Sequence, residues 1–480
     1  MTPHRRALTW LMLLFALIPS ARAADGGLIA SRIMALLNDP ALRGIQISAE
    51  VKSLTRDKVF FERGSNVALI PASSVKLLSA YLALKRLGPD HVFTTKVLRD
   101  ADVAGSTLKG NLYLRGAGDP SLVSERMYIL AESVARTGLR KIEGDLVVDA
   151  SAYSDGHFHA NRLKTDSDRP FNAPTSAVSF NYNTTAVYMS PGPKPGSPVR
   201  VTVEPDTGYV RVVNHARTGK AGSKNTLQAS REGLGEGKGD EVIINGSLAA
   251  GENEKLRYFN VTDPETYAGM ALRFYLKKEG VTFGPRSRVR LSTAPPDTPV
   301  VAEVDSLPVR EIVTLMNKYS NNFIAEALVK AVGGLQSGYP TSLDQGMKAL
   351  VSEAQQLGLQ GGGFTLTSPS GLNRENHMSA AHFMTLLTAA WKDLGVMPEL
   401  VASLPIAGKD GTLERRAAED LGQAEGRARA KTGTLDGVSA LAGLIQAGDG
   451  EVLAYALLLN TEGAPDLRPW QNRFLRLVAQ

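Results

Sequence analysis

The fold of this chain is decided by one stretch of its sequence, Pro71-Ala-Ser-Ser-Val-Lys-Leu-Leu-Ser-Ala-Tyr-Leu-Ala-Leu-Lys-Arg-Leu-Gly88. Apolar residues recur in it at helical spacing and Gly88 is a stop signal, so the stretch predicts a helix with Ser73 at its N-terminus. Residues three apart on a helix share a face, which places Ser73 and Lys76 within hydrogen-bonding reach. The same spacing fits a surface lysine one turn after a capping serine, so other motifs have to decide between the two interpretations.

The side chains of Ser73 and Lys76 could act as a nucleophile and its general base. A serine hydroxyl is a weak nucleophile until a neighbouring group removes its proton. Lys76 can do this only as a neutral amine, and burial near another positive charge such as Lys431 would favour that form by lowering its pKa. The helix N-terminus adds positive potential at Ser73, and its backbone amides are suitable donors to an oxyanion.

Strand patterns lie on both sides of this helix. Before it, residues 44–51 alternate between apolar and polar side chains and precede a second strand that ends near Phe61. Near the C-terminus, apolar runs at 438–446 and 452–459 flank the turn Ala447-Gly-Asp-Gly450, which predicts an antiparallel hairpin. Helix and antiparallel strand patterns at both ends of the chain predict one α/β domain.

Between about His91 and Pro299 the pattern changes to short strands with frequent Gly, Pro and Asn turns, as in Gly110-Asn-Leu-Tyr-Leu-Arg115. Short strands separated by such turns predict a mostly β region. Helical patterns return after Pro308. The sequence therefore predicts an α/β domain, with an antiparallel sheet plus helices, that is interrupted by a long and mostly β insertion.

Two further motifs contain polar residues of the kind found in active sites. Ser320-Asn-Asn322 separates two helical patterns and predicts a connecting turn, although such residues often only cap a helix. Lys431-Thr-Gly433 leads into an apolar strand, where glycine allows a ligand to approach the backbone. An edge strand at that position would pair with a substrate backbone while Lys431 and Thr432 bind a carboxylate.

The first 23 residues predict a secretory signal peptide, because a basic segment with Arg5 and Arg6 precedes an apolar run and small residues around Ala23. The run is shorter than the roughly 20 residues that span a bilayer, and no later stretch is long and apolar enough. Cleavage removes three arginines and lowers the formal net charge from +6 to +3, which argues against nucleic-acid binding. We expect an exported, periplasmic protein without an integral membrane segment, and it contains no cysteine for disulfides.

Two other kinds of site find little support. His157 and His159 flank Phe158 with Asp155 nearby, but no further residues with metal-ligand spacing accompany them, so we expect solvated loop histidines. The nucleophile-elbow pattern G-x-S-x-G of α/β hydrolases is absent from the sequence. The sequence therefore predicts a serine enzyme that uses neither a metal nor another cofactor.

In this order, Ser73-Ser-Val-Lys76, Ser320-Asn-Asn322 and Lys431-Thr-Gly433 resemble the S-x-x-K, S-x-N and K-T-G motifs of penicillin-binding proteins and β-lactamases. Over nearly the whole mature chain, the sequence resembles the class C low-molecular-mass penicillin-binding proteins, the type-4 D-alanyl-D-alanine carboxypeptidase/endopeptidases. The resemblance extends to five more segments, Gly116-Ala-Gly-Asp-Pro-Ser-Leu122, Asn172-Ala-Pro-Thr-Ser-Ala177, Phe180-Asn-Tyr-Asn183, Ser370-Gly-Leu-Asn-Arg374 and Leu404-Pro-Ile-Ala-Gly-Lys-Asp-Gly-Thr-Leu413.

The long interval between Ser73 and Ser320 is a mark of that family, in which an insertion forms two extra domains. The resemblance implies a penicillin-binding catalytic domain at 24–92 and 300–480. It also implies an inserted domain II at 93–171 and 255–299, and an inserted domain III at 172–254.

The resemblance further implies an acyl-enzyme mechanism on peptidoglycan peptides. Ser73 would attack the carbonyl of the penultimate D-alanine, Lys76 would accept its proton, and Ser320 would relay a proton to the leaving amine. Water would then release the shortened peptide. β-Lactam antibiotics would acylate Ser73 and leave slowly.

Substrate binding follows from the same resemblance. Asn322 would hold the substrate amide, and Lys431 with Thr432 would bind the terminal carboxylate. The backbone amides of Ser73 and Thr434 would form the oxyanion hole.

Related enzymes contact the substrate side chain with an aspartate, a phenylalanine, an arginine and a glutamine. By motif position the first three match Asp166, Phe171 and Arg374, with Asp168 as a competitor for the aspartate. The glutamine position is occupied by Asp436, so this sequence departs from the pattern and leaves the preferred diamino acid open.

Two alternatives to a D-alanyl peptidase remain. A β-lactamase is disfavoured because no E-x-x-L-N segment is present to position a deacylating water, and because of the long insertion. A catalytically weak wall-binding or scaffold protein is disfavoured by the intact Ser73, Lys76 and Lys431. The sequence leaves open the balance of carboxypeptidase and endopeptidase activity and whether the chain forms a homodimer.

Overall fold

The computed structural model describes residues 26–158, 167–448, 450–463 and 465–480. The predicted signal peptide at 1–23 therefore lies outside the described residues. Within the described part of the chain, no helix is both long and apolar enough to cross a membrane.

A helix and a β-hairpin precede the helix that follows Ser73. The elements are α1 (Gly26–Leu37), β1 (Gln46–Ser53), β2 (Lys58–Arg63) and α2 (Lys76–Arg86), with 3₁₀ turns at Pro40–Leu42 and Ala72–Val75. β1 pairs antiparallel with β2, as the alternating pattern before the helix predicts.

The next part of the chain, up to Asp305, contains most of the strands. It begins with β3 (Thr94–Arg99), β4 (Val103–Ala104), β5 (Thr107–Leu108), β6 (Leu112–Arg115), α3 (Ser124–Arg136), β7 (Lys141–Ile142) and β8 (Leu146–Asp149). After 3₁₀ turns at Pro170–Asn172 and Asn181–Asn183 it continues with β9 (Thr184–Ser190), β10 (Arg200–Glu204), β11 (Val210–Asn214), β12 (Arg217–Gly219), β13 (Gln228–Gly233), β14 (Asp240–Asn245), β15 (Ser247–Ala249) and β16 (Lys255–Asn260). It ends with α4 (Pro264–Lys278), β17 (Thr282–Phe283), β18 (Val289–Leu291) and β19 (Val300–Asp305).

Helices return after Pro308, as predicted. They are α5 (Val309–Tyr319), α6 (Asn322–Ser337), α7 (Leu343–Gln356), α8 (Ala380–Trp391), α9 (Met397–Ser403) and α10 (Ala418–Leu421), with 3₁₀ turns at Gly411–Leu413 and Gly422–Ala424. The chain ends with β20 (Arg429–Leu435), β21 (Val438–Gln446), β22 (Val452–Asn460) and α11 (Arg468–Val478).

Both ends of the chain contribute to one five-stranded central sheet. Its strand order is β2-β1-β22-β21-β20, and every neighbouring pair is antiparallel. The N-terminal hairpin and the C-terminal strands are therefore joined by hydrogen bonds into one unit, as their patterns predict. β20, which contains Lys431-Thr-Gly433, forms an edge of this sheet.

Helices cover both faces of the central sheet. Residues of α2, α5, α6 and α8 pack with Ala440 and Leu458 on one face, and residues of α1 and α11 pack with Leu441 and Leu457 on the other. Alternate residues of a strand point to opposite faces. A strand buried on both faces is therefore apolar throughout, which explains the two continuous apolar runs near the C-terminus.

The insertion contains the remaining sheets of the described chain. A five-stranded sheet in the order β18-β8-β6-β3-β19 packs against α3 and α4. Two three-stranded sheets, β10-β9-β16 and β11-β14-β13, share a second core. Two smaller sheets are formed by β17-β7-β5-β4 and by β12-β15.

Strand pairing crosses two of the predicted domain boundaries. β19 lies in 300–480, which we predicted to be catalytic, but it pairs with β3 of the insertion. β16 lies in 255–299, which we predicted to be domain II, but it pairs with β9 of the predicted domain III. A strand belongs with the sheet that satisfies its backbone groups, so these boundaries fall later, after β19 and after β16. The division of the insertion into two domains stays a prediction.

The two helices of the insertion qualify the mostly β prediction. The buried side chains of α3 include Leu130 and Val134, which are four residues apart on one face. α4 begins after Asp263, whose side chain accepts a hydrogen bond from Thr266 N, and Pro264 is its first residue. Both patterns are local, but the frequent turn residues around them masked these helical signals.

A buried ion pair fixes the insertion against α6 of the α/β domain. The side chain of Lys330 on α6 is 1% exposed and pairs with Asp155 Oδ1 at 2.8 Å. Asp155 Oδ2 accepts a hydrogen bond from Leu343 N at 2.9 Å, and the Lys330 ammonium lies 4.6 Å from the ring centre of Tyr153. These contacts hold the insertion beside α6, the helix that begins at Asn322.

Candidate active site

Ser73 lies on the 3₁₀ turn Ala72–Val75, which leads directly into α2. We predicted a helix that has Ser73 at its N-terminus, but the α-helix begins at Lys76, after this turn. Ala72 has a left-handed φ of 46°, a conformation that costs a non-glycine residue about 1–3 kcal/mol and persists only where its surroundings enforce it. Ser73 is partly exposed while Ser74 and Lys76 are buried, so the turn presents one hydroxyl at the surface.

Lys76 is fully buried beneath Ser73. Its Nζ lies 3.0 Å from Ser73 Oγ and donates hydrogen bonds to Asn322 Oδ1 at 2.7 Å and to the Ser370 carbonyl oxygen at 2.5 Å. Ser73, Asn322 and Ser370 lie on three separate segments of the chain. Together they orient the amine of Lys76 towards the hydroxyl of Ser73.

Ser320-Asn-Asn322 joins α5 to α6, as the sequence predicts. The helix cap is Asn321, whose Oδ1 accepts a hydrogen bond from Ile324 N at 3.1 Å. Ser320 has a left-handed φ of 55°, and its Oγ accepts a hydrogen bond from Lys431 Nζ at 2.9 Å. Because the middle residue caps the helix, Ser320 and Asn322 are available to the two lysines.

Lys431 is fully buried on β20, and burial lowers its pKa from 10.5 to about 7. Besides Ser320 Oγ, its Nζ donates to the carbonyl oxygen of Thr432 at 2.8 Å. The hydroxyl of Thr432 donates to Thr412 Oγ1 at 2.8 Å. Lys431 therefore links the K-T-G motif to the S-x-N motif through one hydroxyl.

Two glycines allow neighbouring segments to approach the turn of Ser73. A Cβ atom on Gly433 would lie 2.3 Å from the Pro71 carbonyl oxygen, closer than real Cβ contacts. A Cβ on Gly371, which has a φ of +72°, would lie 2.0 Å from the Ala72 carbonyl oxygen. We predicted that Gly433 makes room for a ligand, and here it makes room for the turn that carries the serine.

The open edge of β20 has its backbone amides in a suitable direction for a substrate. Ala430 N donates away from β21, to the Pro405 carbonyl oxygen at 3.0 Å. N–H groups alternate sides along a strand of an antiparallel ladder, so the amides of Thr432 and Thr434 point the same way. Thr434 N–H therefore faces the open edge beside Ser73.

All three motifs thus converge at one edge of the central sheet, in the order and setting that the sequence predicts. Residues 29–480 match the model of the D-Ala-D-Ala carboxypeptidase 3 (S13) family. The chain belongs to this family. The match spans nearly all of the chain, and it confirms the family resemblance inferred from the motifs.

Two relatives of this chain, each matched over most of its length, support this assignment. The chain is 34% identical over 456 residues to the D-alanyl-D-alanine carboxypeptidase of Actinomadura sp. (strain R39), covering 90% of this chain and 81% of the relative. It is 26% identical over 430 residues to the D-alanyl-D-alanine carboxypeptidase DacB of Haemophilus influenzae, covering 90% and 88%.

A solved structure supports the fold. The crystal structure of penicillin binding protein 4 (dacB) from Haemophilus influenzae has a TM-score of 0.77 and 26% identity to this chain, over 92% of this chain and 97% of that one. The predicted fold class, a penicillin-binding domain with an antiparallel sheet plus helices and a long insertion, is therefore confirmed.

The structure brings together only some of the residues that we predicted to contact the substrate side chain. Arg374 Nη2 donates a hydrogen bond to the carbonyl oxygen of Asp436, so these two residues meet beyond the end of β20. Phe171 comes from the insertion, its side chain is 47% exposed, and its carbonyl oxygen accepts a hydrogen bond from Asn322 Nδ2 at 3.0 Å. The insertion therefore contacts Asn322 of the S-x-N motif directly.

The aspartate of that subsite has two candidates in the sequence. Asp166 lies outside the described residues. Its competitor Asp168 forms an ion pair with Arg257 on β16 at 3.1 Å. Asp168 is therefore engaged within the insertion.

Within the described residues, which include His157, no cluster of three or more metal-ligating side chains occurs. His157 Nε2 pairs with Glu265 Oε2 at 2.8 Å, and this carboxylate raises the pKa of the histidine. Glu265 also accepts a hydrogen bond from Ser176 Oγ at 2.5 Å. His157 is thus a partner of Glu265 and not a free loop residue, and His159 lies outside the described residues.

Two contributors to the S13 site had no predicted role. Ser370 contributes its carbonyl oxygen to Lys76, and Thr412 contributes its hydroxyl to Thr432. Both lie in segments that carry the family resemblance, Ser370-Gly-Leu-Asn-Arg374 and Leu404-Pro-Ile-Ala-Gly-Lys-Asp-Gly-Thr-Leu413. The resemblance of these two segments to the family indicated that they matter, but it did not indicate which of their atoms contacts which motif.

Proposed function

We propose that this chain is a serine-type D-Ala-D-Ala carboxypeptidase and D,D-endopeptidase that acts on peptidoglycan stem peptides and on cross-links through a D-alanyl bond. The observation that carries the proposal is the 3.0 Å approach of Lys76 Nζ to Ser73 Oγ where all three motifs meet. Membership of the D-Ala-D-Ala carboxypeptidase 3 family and the names of two relatives support the substrate class.

Acylation begins with a proton transfer from Ser73 Oγ to a neutral Lys76 amine while Oγ attacks the carbonyl carbon of the penultimate D-alanine. The carbon–nitrogen bond breaks and an ester with Ser73 forms. The proton that Lys76 accepted passes through Ser320 to the leaving amine, while Lys431 keeps its charge and holds Ser320 Oγ in a 2.9 Å hydrogen bond. Lys76, neutral again, then takes a proton from the water that attacks the ester and returns it to Ser73 Oγ as the ester breaks, which releases the shortened peptide.

Binding uses the groups around Ser73. The amides of Ser73 and Thr434 stabilise the oxyanion of the tetrahedral intermediate. Asn322 holds the substrate amide, and Lys431 with Thr432 binds the terminal carboxylate. A charged lysine suits this last role because a charge-assisted hydrogen bond to a carboxylate is stronger than a neutral one.

In this proposal Phe171, Arg374 and Asp436 contact the side chain of the diamino acid in the acyl half of the substrate, with Asp166 as a fourth member. The meeting of Arg374 with Asp436 supports this assignment. An aspartate in place of the glutamine adds a negative charge, which favours a substrate side chain that ends in an amine.

β-Lactams inhibit the enzyme in this proposal because they acylate Ser73 and the ester hydrolyses slowly. A second structure of the Haemophilus influenzae penicillin binding protein 4, in complex with a β-lactam, supports this point, with a TM-score of 0.73 at 26% identity over 93% of this chain and 97% of that one. We place the enzyme in the periplasm, where its substrate lies, after cleavage of residues 1–23.

Digestion of purified muropeptides tests the proposal. We expect the protein to remove one D-alanine from a monomeric pentapeptide and to convert a D-alanyl cross-linked dimer into monomers, as measured by mass spectrometry. A labelled penicillin should also add its mass to the intact protein. Rapid penicillin turnover without digestion would instead indicate a β-lactamase, and neither digestion nor labelling would leave a wall-binding role.

The pH dependence should report Lys431. Its charge is lost as pH rises through the lowered pKa of about 7, well before the usual 10.5. We therefore expect kcat/KM for a D-Ala-D-Ala peptide to fall as pH rises through about 7, because kcat/KM follows ionisations of the free enzyme. In Lys431→Arg the guanidinium stays charged, so the fall should disappear; an identical fall in this variant would assign it to another group.

A further inference from the structure

A cavity of about 550 Å³ opens beside the catalytic serine. Ser73, Ser320, Thr432 and Thr434 line one end of it. Away from these residues it is bounded by the segment after Thr412 and by the start of α11, where its charged lining residues are Arg415, Arg416, Asp420, Asp466 and Arg468. The cavity is therefore continuous with the proposed catalytic site.

The position of this cavity relative to the scissile bond follows from β20. Thr432, proposed to bind the terminal carboxylate, contacts Thr412 on the wall of the cavity at 2.8 Å. Arg374 and Asp436, proposed to contact the acyl half, meet beyond the other end of the strand. The cavity thus extends from the carboxylate position on the leaving-group side of the bond.

The size of the cavity exceeds what a carboxypeptidase substrate needs there. When the leaving group is a terminal D-alanine, only a methyl group lies beyond the carboxylate and amine. When the bond is a cross-link, the leaving amine belongs to a second stem peptide that continues into this space. Cavities of about 300–1,000 Å³ are the usual size for a ligand much larger than one alanine.

Of the charged residues that line the cavity, the cation Arg415 and the anion Asp420 have no side-chain partner among the described residues, whereas the other three are engaged. Arg468 is neutralised by Asp466, with which it forms two hydrogen bonds at 2.8 and 2.9 Å. Arg416 is held by the side-chain oxygens of Gln471 and Asn472, both at 2.6 Å.

Arg415, in contrast, is exposed and has no hydrogen-bond or ion-pair partner among the residues that the structure describes. It follows Thr412 by three residues and lines the same cavity as Thr432, the proposed carboxylate-binding residue. A stem peptide carries free carboxylates, which a guanidinium recognises well because its donors match both oxygens.

We propose that this cavity is a leaving-side subsite for the second stem peptide of a cross-link, and that Arg415 pairs there with a free carboxylate of that peptide. The inference rests on the proposed D,D-peptidase function and adds a determinant of the choice between cross-links and terminal D-alanine. Arg415 is a specificity residue that touches only the longer substrate.

The test compares kcat/KM for a cross-linked dimer with kcat/KM for a monomeric pentapeptide, using the full mature chain. We expect Arg415→Ala to lower the dimer-to-monomer ratio about two- to fivefold, the upper part of the range for one exposed charge pair. Arg415→Glu should lower the ratio further, and Arg415→Lys should restore much of it. The wild-type ratio should also decrease with added salt, which screens an exposed pair.

The control is Lys348→Ala, which removes an exposed cation on α7 and should leave the ratio at the wild-type value. An Arg415→Ala ratio equal to that of wild type, or a wild-type protein that cleaves only the monomer, would overturn the subsite. A wild-type protein that cleaves neither substrate and is not labelled by penicillin would overturn the proposed function itself, so the two failures are distinguishable.

Discussion

In the Ser73→Ala variant we expect no covalent adduct with labelled penicillin and a loss of D-alanine release on the order of 10⁴–10⁶-fold. The hydroxyl is the atom that forms the ester, and the other hydroxyl of the turn, that of Ser74, is buried and donates to the Lys431 carbonyl oxygen at 3.5 Å. Removing the nucleophile of a serine hydrolase costs about this much, because only binding and the oxyanion donors remain. Intact-protein mass spectrometry and a D-alanine assay measure the two effects.

A matched control for this variant is Ser352→Ala, which removes an exposed serine hydroxyl on α7. It should be labelled at the wild-type rate. Thermal unfolding should show that Ser73→Ala is folded, because the hydroxyl is partly exposed and its removal creates no large cavity. An adduct that persists in Ser73→Ala would place the acylated nucleophile at another residue.

The central domain could be predicted because its signals are local. The helix after Ser73, the hairpin at 46–63 and the apolar strands at 438–446 and 452–460 are each encoded by short-range periodicity. The pairing of β1 with β22 is not local, since it joins the two ends of the chain. This pairing could be predicted only by assigning the strand patterns of both chain ends to one domain. The exact boundaries of the insertion could not be predicted from the sequence.

The active site could be predicted as a set of residues but not as a set of contacts. Spacing alone relates Ser73 to Lys76, because they lie on one helical turn. The acceptors that orient Lys76, Asn322 Oδ1 and the Ser370 carbonyl, come from segments far away in the chain. The left-handed backbone at Ala72 is enforced by such long-range packing, so no local preference of alanine could have indicated it.

The two lysines of the site have different environments, and this separates their proposed roles. Lys76 contacts the hydroxyl of Ser73 directly, whereas Lys431 contacts the hydroxyl of Ser320. Lys431 has no carboxylate among its hydrogen-bond partners in the described residues, and its pKa falls to about 7 through burial alone. A substrate carboxylate would supply the missing anion and favour the charged form of Lys431.

Lys76→Met is therefore expected to slow acylation by penicillin about 10²–10⁴-fold, the usual contribution of a general base. Methionine keeps the length and apolar stem of lysine but cannot accept a proton. It also leaves Asn322 Oδ1 and the Ser370 carbonyl without this donor, and a buried acceptor left unpaired costs about 1–3 kcal/mol. We expect a lower melting temperature together with the slower labelling, both of which are measured on the same preparation.

Lys330→Met separates the loss of stability from the loss of acylation rate. Lys330 is also a buried lysine, but it lies on α6 and its partner is Asp155, not Ser73. This variant should lose stability without the loss of acylation rate. If Lys76→Met were acylated as fast as wild type, the base would have to be Lys431 acting through Ser320. Lys431 would then need to be neutral for acylation, and kcat/KM would rise through pH 7 where we expect it to fall. The acylation rate of Lys76→Met and the pH profile of the wild-type protein are therefore two independent tests of the assignment of Lys76 as the base.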